Sequence, residues 1–158
     1  MRVSNLIAFV SIAILTTSQA FGQESGPKWD SGLEVEDHSK ITVLVEDLAE
    51  DAESISLTKE NLQNKTEVRL RQAGIDPQEN GLSYYLYINV NVTSQSFSVD
   101  LQFIRITYYL AGSKQFSTMA TTWETGSAGT HGGDGHYIIQ VLDERIDLFI
   151  SKYLEANG

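Results

Sequence analysis

Tyr84-Tyr85-Leu86-Tyr87-Ile88-Asn89-Val90-Asn91-Val92-Thr93 and, after Ser94-Gln95-Ser96, Phe97-Ser98-Val99-Asp100-Leu101-Gln102-Phe103 decide the fold of this chain. Leu86, Ile88, Val90 and Val92 alternate with Tyr85, Tyr87, Asn89 and Asn91. Successive side chains of a strand point to opposite faces, so this period of two predicts one apolar and one polar face. Phe97, Val99, Leu101 and Phe103 repeat the pattern across a short turn, which predicts an antiparallel hairpin. Beyond Phe103 the apolar set moves to Ile104, Ile106, Tyr108 and Leu110. A change of face by one residue predicts a bulge, or a strand covered on both sides near its end. Ala111-Gly112-Ser113-Lys114 then turns the chain into a third strand, expected over 116–124.

Working outward from this meander, each flank supplies a helix. On the N-terminal side, Ile41 to Val45 is a β-branched apolar run that predicts a strand, and 46–53 is densely acidic. Thr58 then stands where an N-cap belongs, with Leu57 and Leu62 spaced as a hydrophobic staple. Leu62, Thr66, Leu70 and Ala73 continue at helical spacing, and Gly74 followed by Pro77 marks the stop. On the C-terminal side, the glycine-rich stretch 125–135 is expected to be a loop. A helix over 136–156 follows, carrying Ile138, Ile139, Leu142, Ile146, Phe149, Ile150 and Tyr153 as a stripe wide enough to cross a sheet. The order β-α-β-β-β-α predicts an α+β domain: a four-stranded, mostly antiparallel sheet with two helices on one face. The Tyr-Asn face of the first hairpin strand is left looking outward.

The start of the chain has a different character. Arg2 is basic, Leu6 to Leu15 is almost wholly apolar, and Ser18-Gln19-Ala20 is a small-x-small pattern. This is the layout of a secretory signal peptide, expected over 1–22 with cleavage after Ala20 or Gly22. Its apolar part is too short for a membrane-spanning helix, which needs about twenty residues. Residues 23–39 are polar and interrupted by Gly26, Pro27 and Gly32, so a flexible leader is expected, with Trp29 and Leu33 as docking points. Residues 40–158 form the single domain.

Net charge is −10, from 21 acidic and 11 basic residues. Nucleic-acid binding relies on Lys and Arg neutralising phosphates, so nucleic acid is not an expected partner, and anionic lipid is equally unsuited. The chain has no cysteine, which excludes disulfides, thiolate metal sites and a lipid-accepting cysteine. Export without disulfides points to a bacterial periplasmic or secreted protein with no stable membrane anchor.

Three stretches carry candidate chemistry. The glycine-rich loop 125–136 precedes a helix N-terminus, where free N–H groups favour anions, but it lacks the GK[ST] ending of a phosphate loop. Within it, His131, Asp134 and His136 form an imidazole–carboxylate set of the kind that holds a divalent metal, although Asp134 is also placed to cap the helix. The acidic run 46–53 lacks the spacing of a calcium loop and reads as a solvated segment. No G-x-S-x-G elbow or HExxH helix occurs, and no cofactor is implied. The third candidate is the outward face itself: Tyr85, Tyr87, Asn89 and Asn91 suit contact with a protein partner.

Two segments also carry a resemblance. Leu57-Thr58-Lys59-Glu60 with Arg69-Leu70-Arg71-Gln72-Ala73-Gly74-Ile75, and the ending Ile146-Asp147-Leu148-Phe149-Ile150-Ser151-Lys152-Tyr153-Leu154-Glu155-Ala156-Asn157, resemble small, uncharacterised exported bacterial proteins with an "LRxAGI" helix end and a "DxFIxxYLxxN" terminus. More distantly, the element order is similar to the TolB N-terminal domain and related envelope lipoprotein domains, without the propeller of the former or the lipidated cysteine of the latter. The resemblance implies a non-catalytic, protein-binding module. The expected function is therefore an exported, soluble domain that binds an envelope or extracellular protein. The alternative is a small-ligand- or metal-dependent enzyme using the loop 125–136. Oligomeric state stays open, with the strand over 116–124 noted as an edge able to pair between subunits.

Overall fold

The computed structural model describes residues 31–36, 41–79, 81 and 83–158. The expected signal peptide and the leader before Ser31 lie outside the described residues. The elements run β1 (Ile41–Val45), α1 (Glu50–Glu53), α2 (Lys59–Gln72), β2 (Tyr84–Val92), β3 (Ser96–Ala111), β4 (Lys114–Thr130) and α3 (Gly135–Asn157). The strands form one sheet in the order β1-β2-β3-β4. β1 pairs parallel with β2, and the other two pairings are antiparallel. The class is α+β, as expected, with α1 as an additional short helix. α1 forms inside the acidic run because Ala52 is fully buried there, giving the segment one anchor in the core.

β1 and β2 are joined through α2, because parallel neighbours need a crossover longer than a hairpin. Thr58 caps α2, its side chain accepting from the Asn61 N–H at 3.2 Å, and Leu57 and Leu62 are both buried beside it. At the other end the Ile75 N–H reaches the Leu70 carbonyl and the Gly74 N–H reaches that of Arg71, a Schellman cap that folds Ile75 into the core. Lys65 and Arg69 of α2 meet Asp143 of α3 at 3.2 and 3.6 Å, tying the two helices side by side.

Leu62 and Leu70 from α2, with Ile138, Leu142, Ile146, Phe149 and Tyr153 from α3, share one core with Leu86, Ile88, Val90, Val99, Leu101 and Phe103 of the sheet. Phe103 is the hub: its ring lies 6.0 Å from Tyr84, 5.8 Å from Phe149 and 6.4 Å from Tyr153. Such ring pairs each add about 0.5–1.5 kcal/mol beyond the area they bury.

Two expectations need correction. The stretch 125–136 is not one loop: Thr125 to Thr130 is the second half of β4, paired with Ser96 to Leu101. Its glycines make room across the sheet rather than a bend. A Cβ on Gly129 would lie 3.2 Å from the Phe97 ring, and one on Gly126 would lie 2.4 Å from an Asp100 carboxylate oxygen. In residues 31–36, expected within the flexible leader, docking occurs at Leu33 as expected but reaches beyond it. Leu33 is fully buried, the Val35 N–H donates to Asn157 Oδ1 at 2.9 Å, and Asn157 Nδ2 donates back to the Leu33 carbonyl at 2.9 Å. Thr122 Oγ1 adds a bond to the Gly32 carbonyl at 2.6 Å.

Candidate functional site

The face of the sheet away from α2 and α3 is built from the alternates of the core residues. Across the strands the register aligns Thr42, Tyr85, Ile104 and Thr121 in one row, and Leu44, Tyr87, Gln102 and Glu124 in the next. Asn89 with Asp100, and Asn91 with Ser98, extend the face toward the β2–β3 turn. These side chains range from half-buried to exposed, apart from Thr42, which is nearly covered. Asn91 Nδ2 donates to Asn89 Oδ1 at 3.1 Å. The Tyr87 hydroxyl donates to the Glu46 carboxylate, and that bond, followed by partial burial and the carboxylate's charge, pushes the phenol above its ordinary value. The sequence-expected Tyr85, Tyr87, Asn89 and Asn91 thus lie together on one outward surface. A shallow recess of about 320 Å³, lined by Asp100, Gln102, Glu124 and Gly126 among others, indents its middle.

This surface does not end where β2 begins. Tyr84 is opposite Arg105, so β3 and β4 run on past the sheet as a two-stranded arm from Ile106 to Met119. The register shift predicted after Phe103 is present, but the additional residue is Thr122 on β4, while β3 keeps its alternation. Ile104, Ile106, Tyr108 and Leu110 therefore continue the open face instead of returning to the core. Tyr108 is 68% exposed and Leu110 73%. Met119 opposite Ile106 joins them, and Tyr109 stacks on Phe116 across the other face at 5.5 Å. Ile106 and Met119 are exposed as well, so large apolar side chains face solvent along the length of the arm. The arm is held at its root by Arg105, whose guanidinium donates to the Glu34 carbonyl and sits 5.7 Å over the Tyr84 ring.

The loop expected to hold an anion or metal shrinks to His131–Asp134 and is tied up internally. His131 is buried; its Nδ1 accepts the Gly133 N–H at 3.0 Å, so Nε2 carries the proton and donates to the Thr93 carbonyl at 2.8 Å. Left-handed Gly132 and Gly133 let the chain double back to make the first of these bonds. Asp134 is the N-cap of α3, accepting the His136 N–H at 2.9 Å, and His136 is exposed. His131, Asp134 and His136 are thus not brought together as a ligand set, and among the described residues no group of three or more His, Cys, Asp and Glu converges to hold a metal. Among those residues too, no helix is long and apolar enough to cross a membrane.

The arm was the part of the surface that sequence reasoning missed. Its signal was already present in the shift of the apolar set from Phe103 to Ile104, which is how an exposed apolar face reads when no helix covers the strand. No protein-family model matches the chain, and no curated protein matches it.

Proposed function

We propose that this chain is an exported, non-catalytic binding domain whose partner is another protein of the cell envelope or the extracellular space. The observation that carries the reading is the arm: a charge-poor apolar surface, continuous with the open sheet face, on which Tyr108 and Leu110 are more than two-thirds exposed. Aromatic and aliphatic side chains flanked by polar ones are the composition of a protein-contact surface, with an apolar centre and a polar rim. Here Tyr85, Ile104, Ile106, Tyr108 and Leu110 supply the centre, and Tyr87, Asn89 and Asn91 the rim. The basic, apolar and small-residue segments of 1–22 support export, as does the resemblance of the two helix ends to exported bacterial proteins. His131, with both ring nitrogens held by backbone, is a poor starting point for the catalytic alternative.

Photo-crosslinking in intact bacteria tests this. A benzophenone side chain at Tyr108 or at Tyr85 is expected to capture a distinct protein after export, and the same group at Glu144 on α3 is not. Absence of any heterologous adduct from both positions, or an enzymatic turnover abolished by His131→Ala, overturns the reading.

A further inference from the structure

We infer that the free edge of β4 pairs with the same edge of a second copy of this chain, antiparallel and about a two-fold axis, joining two sheets into one. Among the described residues β4 is the terminal strand of the sheet, so one row of its backbone N–H and C=O groups faces away from β3. Sheet edges are ordinarily protected by proline, by charge or by a bulge. β4 has a bulge at Thr122, and the leader crosses it there through the Thr122–Gly32 bond. Lys114 stands at the opposite limit, as the first residue of β4. Between them Gln115-Phe116-Ser117-Thr118-Met119-Ala120-Thr121 contains no charge, no proline and no glycine, and all but Ala120 are exposed. The other edge of the arm, along β3, is bordered by Glu36, Ser83 and Tyr84, which line a groove with Arg105, Ile106 and Tyr108.

Charge selects a second copy as the occupant. The chain carries −10, so two copies repel each other over most of their surface. From Ile106 to Trp123 the only charged residue is Lys114, so self-contact along the arm brings no acidic groups together. Edge pairing also widens the arm, since a two-stranded ribbon in water is marginal and a third and fourth strand stabilise it. A two-fold axis perpendicular to the sheet places like faces on the same side. The open faces of the two copies then merge, so the pairing extends the proposed partner surface without consuming it and stands independently of that reading.

The chain has no cysteine, so a single introduced thiol reports only on its own mate. The product of full-chain expression is expected to sediment as a dimer at micromolar concentration. Single variants Gln115→Cys, Ser117→Cys and Met119→Cys, treated with a copper–phenanthroline oxidant, are expected to cross-link, with the rate peaking at the position nearest the axis. Residues directly opposed in an antiparallel pair have Cα atoms about 4.5–5.5 Å apart, within disulfide range. Glu144→Cys, on the exposed side of α3, is expected to stay uncrosslinked. The double variant Ser117→Lys with Met119→Lys is expected to weaken the dimer at least a hundredfold and to retain its far-ultraviolet circular dichroism. If that variant fails to fold, the cysteine scan still decides. A wild-type chain that is monomeric at about 100 µM overturns the inference, as does a dimer that cross-links through Glu144→Cys but not along β4. A monomer whose Gln115–Thr121 amides resist hydrogen exchange gives the edge to residues 23–30 of the same chain, and equally overturns it.

Discussion

The β3–β4 ribbon is two environments along one pair of strands. From Ser96 to Phe103, with its partners Trp123 to Thr130, the ribbon lies under α3 and buries Phe97, Val99, Leu101 and Phe103 almost completely. From Ile104 to Ala111, with Lys114 to Thr121, the same strands keep pairing but project beyond the helices, and their apolar side chains face water. Strand propensity is similar in both halves, so propensity does not decide which half becomes core. Helical cover does, and the sequence marks the border by moving its apolar residues to the other face at Ile104, where no helix waits. Backbone pairing extends an element; burial stabilises it.

The largest expected effects therefore sit in the covered half. Phe103→Ala removes the ring that touches Tyr84, Phe149 and Tyr153, and is expected to cost about 3–5 kcal/mol in urea unfolding. A cost below about 1 kcal/mol means that the helices do not cover this half as described. His131→Ala comes next. It leaves the Thr93 carbonyl and the Gly133 N–H without partners at the end of the covered ribbon, for an expected loss of about 1–3 kcal/mol by thermal unfolding. Zinc titration of the unmodified protein sharpens the point: a calorimetric response that His131→Ala abolishes contradicts a histidine spent on backbone.

A third, smaller effect is local and set by pH. Burial alone pushes the Glu34 carboxyl up, but hydrogen bonds from the backbone N–H groups of Glu34, Ser31 and Gly32 and from the Ser31 hydroxyl outweigh it and hold it below its ordinary value of 4.5. A depressed folded-state value means that the contribution is present above the unfolded value and is lost as pH falls through the folded one. Residues 31–36, which close the root of the arm through Arg105, are thus expected to loosen in acid below about pH 4.5, while the ribbon core holds. Hydrogen exchange at Leu33 and Val35 should accelerate there relative to Leu101. Equal protection across that range refutes the role given to Glu34.

Much of this was legible from periodicity alone. The cap at Thr58, the stop at Gly74, the stripe of α3 and the alternation of β2 each follow from local rules, and each is realised. The failures have a common physical origin, which is that the same residue types serve two purposes. Glycine at 126 and 129 reads as flexibility, yet here it yields space to Asp100 and to the Phe97 ring across the sheet. His131 and Asp134 read as ligands, yet one bonds two backbone groups and the other caps a helix. Local pattern carries no record of what lies opposite, so partners set by long-range pairing were out of reach. The outward face was found because alternation alone defines it; the arm was not, because its exposure depends on where the helices end.

The smallest expected effect is the most direct test of the comparison. Tyr108→Ser with Leu110→Ser changes two large apolar side chains on the same strand as Phe103, at most seven positions away. If strand pairing were the stabilising agent, both halves of the ribbon would suffer alike. If cover is, these side chains are already in water in the folded state, and removing them changes unfolding free energy by less than about 0.5 kcal/mol. A measurable gain in solubility should accompany the unchanged midpoint, since the substitution removes exposed apolar surface without creating a cavity. A loss above about 1 kcal/mol in dilute solution, where copies are apart, shows instead that the arm folds back on the domain, and the open face described here is then covered.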